Sequence, residues 1–206
     1  MKLNRLLQTL IPAAIAIWVP ASLWAAAFGG FGDSLDQAKG THFFQWFHLT
    51  QTAQEQAAGS TVTSFKPSGK RFRDLVTFKV TTGRKGDITG MELILSRKFV
   101  DSPQDGIFAR DIAKSLLRTA FSTGADNDVR SLAAAIEQLG VSTAPIIQHE
   151  STKPPKVPDE VFYTPGYLTY LGQRQSYEHA VAGKILRLEN APLNGVKSLT
   201  ISIRAR

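Results

Sequence analysis

Two runs of alternating apolar and polar residues, at positions 75–82 and 88–99, constrain the fold of this chain more than any other feature. Apolar residues at every second position are typical of a β-strand with one buried face. The intervening residues 83–87 contain two glycines, which tolerate the positive φ of a tight turn. We therefore predict an antiparallel strand pair, with a bulge at Gly90. The apolar positions are Val76, Phe78, Val80, Met91, Leu93, Leu95 and Phe99.

A helix is predicted over residues 103–121, directly after these strands. The preceding Ser102 can cap the helix, Pro103 suits its first position, and Asp105 can return the capping bond. Apolar residues then recur at spacings of three and four, which places them on one broad stripe. We expect this stripe to lie against the strand pair. Its members are Phe108, Ile112, Ala113, Leu116, Leu117 and Phe121.

The aromatic segment at residues 41–58 is interpreted as a second helix. Thr41 can cap its start, Gly59 lies just past its end, and most of the aromatic residues share one side at helical spacing. The same aromatic residues also suit a strand, so this alternative stays open. A short strand is predicted at residues 61–65, within a polar connector.

The second half of the chain adds another helix and three strands. The helix begins at Asp126 or Asn127 and ends at Gly140, and Asn194-Gly195 forms a hairpin turn between the last two strands. With 206 residues, the chain is long enough for one buried core. We expect an α+β fold with a single domain, a mainly antiparallel sheet, and two or three helices packed on one side. The three strands are predicted at residues 167–171, 177–188 and 197–204.

Residues 1–27 have the composition of an export signal. Two cations near the start precede an apolar run, and small residues at Ala25 and Ala27 offer cleavage positions. A retained membrane anchor is the alternative, because the apolar stretch approaches the roughly 20 residues that a spanning helix needs. We therefore expect a leader at 1–27 and an extracytoplasmic domain at 28–206, in the periplasm or associated with the envelope. Cysteine is absent, which excludes disulfides and thiolate metal ligands.

The sequence lacks the short motifs of serine hydrolases, P-loop and dinucleotide-binding proteins, zinc proteases and EF-hands. His42 and His48 would share one face of a strand but are far apart around a helix, and we interpret them as surface or capping histidines rather than a metal pair. Glu178 and His179 are neighbours on a predicted strand, so their side chains point to opposite faces. Asp126, Asn127 and Asp128 are interpreted as a helix cap rather than a cation site. We therefore assign no catalytic residue, no cofactor and no metal ligand.

The chain is basic, with a net charge of +7 and an isoelectric point near 9.8. Its densest cationic patch interleaves with two phenylalanines, Phe65 and Phe72, a pattern that in a cytoplasmic protein would suggest nucleic acid. Export argues against nucleic acid and favours anionic lipid headgroups or an acidic partner, with a simply solvated face as the alternative. The members of this anionic-surface patch are Lys66, Lys70, Arg71 and Arg73.

A proline-rich loop at residues 148–165 is the predicted partner-binding segment. Its four prolines restrict the backbone, so ordering the loop on binding costs less entropy than ordering a flexible one. The alternative is that Phe162 and Tyr163 pin the loop to its own domain. The apolar residues assigned to partner contact are Val157, Val161, Phe162 and Tyr163.

These features predict an exported, non-enzymatic binding or accessory protein. Its expected partner is another envelope protein or an apolar or lipid ligand, with membrane contact through the N-terminal segment if that segment is uncleaved. The alternative is an exported hydrolase or isomerase without a recognisable motif. A pocket that holds His179 beside a carboxylate and a hydroxyl would favour this alternative.

Overall fold

The computed structural model describes residues 31, 33–121, 129, 132–134, 136, 164–181 and 183–206. It has a seven-stranded antiparallel sheet with several helices, which agrees with the predicted α+β class and is consistent with a single domain. The strands are β1 (Leu49–Ala57), β2 (Ser60–Pro67), β3 (Val76–Thr82), β4 (Ile88–Ser96), β5 (Ser176–Val181), β6 (Lys184–Leu193) and β7 (Val196–Ala205). The helices are α1 (Leu35–Lys39), α2 (His42–Trp46), α3 (Arg97–Val100), α4 (Gly106–Ala120) and α5 (Pro165–Tyr170). The strand order is β1-β2-β3-β4-β7-β6-β5.

The predicted strand pair lies in the middle of this sheet as β3 and β4, but its second strand is shorter than predicted: it ends at Ser96, and Phe99 belongs to α3. Phe78 pairs with Leu93, which pairs in turn with Ile201 of β7, and none of the three has measurable exposure. The bulge is also confirmed, because the register places one extra β4 residue, Thr89, next to Gly90. The alternation of buried and partly exposed residues along β3 is therefore the signature of a central strand with one core face.

The core is one cluster that joins the inner face of the sheet to the helices. Ile112 and Leu116 of α4 are buried in it, as predicted. Phe43 and Phe44 of α2 meet the ring of Phe78 edge to face, at centroid distances of 5.0 and 5.5 Å. Helices α2 and α4 thus bury their apolar sides in the same core as the central strands.

The predicted start of the long helix is wrong by three residues. Helix α4 begins at Gly106 with Asp105 as its N-cap residue, while the Ser102 hydroxyl accepts a hydrogen bond from the Asp105 amide at 3.0 Å. The short helix α3 follows β4 immediately, so the chain must turn before α4 can start. Gly106 lies in this crowded turn, since a Cβ atom there would lie 2.9 Å from the Val100 carbonyl oxygen.

The interpretation of residues 41–58 as one helix is also wrong. Helix α2 ends at Trp46, and the polar second half of the segment forms β1 instead. His48, with a φ of 46°, lies at the change of direction between them. Strand β1 is held by its hydrogen-bonded ladder to β2 and exposes almost every side chain, so no hydrophobic period marks it. The short strand predicted at 61–65 is the middle of β2.

Two strand assignments near the C-terminus are corrected. Residues 167–171 belong mostly to α5, where Pro165 occupies the first turn and the Thr164 hydroxyl accepts a hydrogen bond from the Tyr167 amide at 3.4 Å. The single strand predicted at 177–188 is two strands, because Gly183, with a φ of 72°, turns the chain between β5 and β6. The last strand and its Asn194-Gly195 hairpin are confirmed as β7 and its preceding turn.

Several predictions fall on residues outside the described part of the chain. They include the leader at 1–27 and the loop residues Val157, Val161, Phe162 and Tyr163. Of the helix predicted at 126–140, the described positions 129, 132, 133 and 136 are helical and buried. Within the described residues, no helix is long and apolar enough to cross a membrane.

Tyr170 provides a first testable prediction. Its side chain is buried, and its hydroxyl has no hydrogen-bond partner in the described part of the chain. Tyr170→Phe should therefore raise the free energy of unfolding by about 1 kcal/mol in urea titrations, because the desolvated hydroxyl is removed.

Burial also raises the pKa of Tyr170 above 10. The unfolded chain therefore ionises first, so the variant should lose less stability than the parent above pH 10. A destabilised Tyr170→Phe would contradict the unpartnered hydroxyl.

Candidate functional site

An open, mainly apolar pocket of about 360 Å³ lies between the end of α2, the β2–β3 connection and the first turns of α4. This volume falls within the range of small-molecule binding pockets. We call it the aromatic pocket, and we call residues 68–75 of the β2–β3 connection the basic loop. The pocket is lined by Trp46, Phe47, His48, Pro67, Ser68, Gly69, Phe72, Val76, Phe99, Phe108 and Ile112.

Helix α2 positions the tryptophan of this pocket. Phe43 and Phe44 are buried in the core, whereas Trp46, the last residue of the same short helix, is 64% exposed. The imidazole of His42 stacks on the indole at a centroid distance of 5.3 Å. The carbonyl of His48 accepts a hydrogen bond from the Ser68 amide at 3.0 Å, which joins the α2–β1 turn to the basic loop. This backbone hydrogen bond thus connects two walls of the pocket.

Phe72 joins the basic loop to the third wall. Its ring contacts those of Phe99 and Phe108 at centroid distances of 5.3 and 5.1 Å. The guanidinium of Arg71 lies 5.5 Å from the Phe72 ring centre and forms an ion pair with Asp105, the N-cap residue of α4. The loop therefore contributes an aromatic wall and a cationic edge to the same site.

The structure distributes the four cations of the predicted patch over two places. Lys70, Arg71 and Arg73 are exposed on the basic loop, beside the pocket. Lys66 lies on β2, with its ammonium 3.7 Å from the carboxylate of Asp74. The interleaved phenylalanines also differ, because Phe65 is buried in the core and only Phe72 lines the pocket.

The sequence pattern did not single out Trp46 or His48 as site residues, and it assigned Phe108 to the buried stripe. Phe108 is instead 44% exposed, because the first turn of α4 packs against the basic loop rather than the sheet. The neighbouring Ile107 is exposed as well. No sequence signal marked this, because adjacent apolar residues further along the same helix, Ile112 and Ala113, are both buried.

The three histidines that the structure describes do not converge on a common centre. His42 and His48 adjoin the aromatic pocket, whereas His179 lies on β5, where its ring stacks with that of Tyr177 at 6.1 Å. His179 and Glu178 pair with successive residues of β6, so they face opposite sides of the sheet as predicted. Among the described residues, no group of three or more histidine, aspartate and glutamate side chains could hold a metal ion.

A second, more polar pocket of about 520 Å³ lies near the end of α5. Its principal cation is Arg97, whose guanidinium donates to the carbonyls of Tyr170 at 2.7 Å and Leu171 at 3.2 Å and also pairs with Asp101. These contacts hold α3 to the end of α5. Arg97 therefore stabilises the contact between α3 and α5. The aromatic pocket is the stronger candidate for a binding site.

No family model, curated protein or solved structure matches this chain. The class that the fold and the site define is an α+β protein with an exposed aromatic pocket beside a cationic loop.

Proposed function

We propose that this protein is an exported, non-enzymatic binding protein of the cell envelope that holds an apolar ligand, or an apolar part of a partner, in the aromatic pocket. The observation that carries the proposal is the exposure of large apolar side chains around the pocket. Of the five that are exposed in the described residues, Trp46, Ile107 and Phe108 belong to or adjoin this site. Clustered apolar exposure beside a pocket is typical of binding surfaces.

Export is supported by the composition of residues 1–27, with its basic start and long apolar run. The alternative, an exported hydrolase or isomerase, would require His179 in a pocket with a carboxylate and a hydroxyl. Neither the aromatic pocket nor the polar pocket near the end of α5 has His179 in its lining. The binding proposal is therefore the one that a specific feature of the molecule supports.

Trp46 makes the pocket directly observable. The chain has three tryptophans, so Trp18→Phe and Trp24→Phe leave Trp46 as the only one. Titration with N-phenyl-1-naphthylamine, a neutral apolar fluorophore, should quench Trp46 by energy transfer and saturate. In the same background, Phe108→Ser should weaken binding about tenfold, because burying one aromatic side chain is worth about 1.5–3 kcal/mol at most.

The matched control is Leu193→Ser. Leu193 is 45% exposed, almost the same as Phe108, but it lies on β6 at the Asn194-Gly195 hairpin. This variant should bind the fluorophore like the parent, and melting temperatures should establish that both variants are folded. Unsaturable binding, or equal losses in the two variants, would refute the aromatic pocket as the binding site.

A further inference from the structure

Cationic and apolar side chains share one face around the aromatic pocket. The ion pair between Arg71 and Asp105 and the contact of Phe72 with Phe108 hold the basic loop against the start of α4. This arrangement places a loop with three exposed cations beside three exposed apolar side chains of α2 and α4. We call these six residues the docking face: Lys70, Arg71, Arg73, Trp46, Ile107 and Phe108.

We propose that the partner of the docking face is the surface of an anionic lipid bilayer; this inference rests on the proposed binding function of the aromatic pocket. The apolar side chains enter the boundary between headgroups and acyl chains, and the cations contact the headgroups. Tryptophan suits this boundary because its indole is apolar in body and carries one polar N–H group.

The charges of the docking face favour an anionic partner. Asp74 of the loop is paired with Lys66, and Asp105 at the start of α4 is paired with Arg71. In the part of the chain that the structure describes, Lys70 and Arg73 form no ion pair and are exposed. Their positive charge is therefore available to attract anionic headgroups.

The openness of the site favours a surface over a single enclosed molecule. A pocket that buries a small ligand encloses most of that ligand. Here Trp46 is largely exposed although the imidazole of His42 stacks on its ring, and Ile107 is also exposed. The guanidinium of Arg71 lies against the ring of Phe72, so cationic and apolar groups are in direct contact. At a bilayer surface, the anionic headgroups and the apolar acyl chains are likewise next to each other.

The test uses the full chain with Trp18→Phe and Trp24→Phe, so that fluorescence reports Trp46 alone. Vesicles of phosphatidylcholine are compared with vesicles of equimolar phosphatidylglycerol and phosphatidylcholine. With the anionic vesicles, Trp46 emission should shift to shorter wavelength and become protected from aqueous iodide. The shift should weaken at high salt, because screening shortens the range of the headgroup charge. The leader is present in every variant and carries no tryptophan in this background.

Two double variants remove the same charge from different places. Lys70→Ser with Arg73→Ser should weaken vesicle affinity roughly 30-fold, given the usual contribution of a cation near an anionic membrane. Arg84→Ser with Lys85→Ser should leave the affinity unchanged. Arg84 and Lys85 are also exposed but lie in the β3–β4 turn, at the opposite end of β3.

An equal Trp46 response to zwitterionic and anionic vesicles would overturn the membrane inference, as would equal losses in the two double variants. Saturable binding of N-phenyl-1-naphthylamine with no vesicle response would overturn it too, while leaving the proposed binding function intact. Failure of both the neutral fluorophore and the vesicles would refute the binding function itself. A Trp46 shift produced only by an acidic peptide, and by neither kind of vesicle, would assign the docking face to a protein partner and end the membrane proposal.

Discussion

Leu116→Asp should abolish folding. Leu116 has no measurable exposure and lies in the middle of α4, against the sheet. Replacing it with aspartate removes about 3 kcal/mol of stabilisation from apolar burial. The unpaired buried charge costs several kcal/mol more. The sum is comparable to the whole stability of a typical domain, about 5–15 kcal/mol. The variant should show no cooperative transition in urea or on heating.

The control for this experiment is the neighbouring Ser115→Asp. Ser115 lies on the same helix but is partly exposed, so its carboxylate can reach water. We expect this variant to fold and to differ from the parent by less than about 1 kcal/mol. A folded Leu116→Asp would mean that α4 does not cover the sheet, and equal unfolding of both variants would mean that the helix tolerates no added charge anywhere.

Arg97→Ala should produce the second-largest loss, about 3 kcal/mol. The Arg97 side chain is only 12% exposed, and its donors bind the last carbonyls of α5 and the carboxylate of Asp101. Removing it leaves partly buried acceptors without donors, which costs about 1–3 kcal/mol each when water cannot replace them. It also removes a cation from the negative end of a helix. Urea titrations at neutral pH measure the change.

Two variants separate the contacts of Arg97 from the general effect of removing a cation. Lys98→Ala removes a neighbouring exposed cation from α3 and should cost less than about 0.5 kcal/mol. Arg97→Lys keeps the charge but cannot reproduce the forked geometry of the guanidinium, so it should fall between the parent and Arg97→Ala. If Lys98→Ala and Arg97→Ala destabilise equally, the α3–α5 contacts contribute nothing specific.

The sequence by itself determined the central elements of the sheet and the main helix. The alternation along β3 and β7 survives in the structure because a central strand buries one face completely, so each second residue must be apolar. The stripe of α4 survives for the corresponding reason at a helical period. The Asn194-Gly195 turn was recognisable because both residues adopt positive φ, which few other residue pairs tolerate.

The assignment of β1 and α5 required the tertiary structure. Strand β1 pairs with β2 through its backbone and buries hardly any of its side chains, so its sequence carries no hydrophobic period. The residues of α5 suit a strand or a helix equally well, and the local effect that favours the helix is the proline in its first turn. In both segments, hydrogen bonding outweighed the pattern of side chains.

The candidate site was decided by tertiary structure almost entirely. Trp46, Phe72 and Phe108 come from three separate elements and meet because the basic loop folds back onto the start of α4. The cations of the loop were visible in the sequence, but their position beside an apolar pocket was not. The composition and periodicity of a sequence show which residues are apolar or charged. A binding site depends in addition on contacts between residues that are distant in the chain, and such contacts form only when the core is packed.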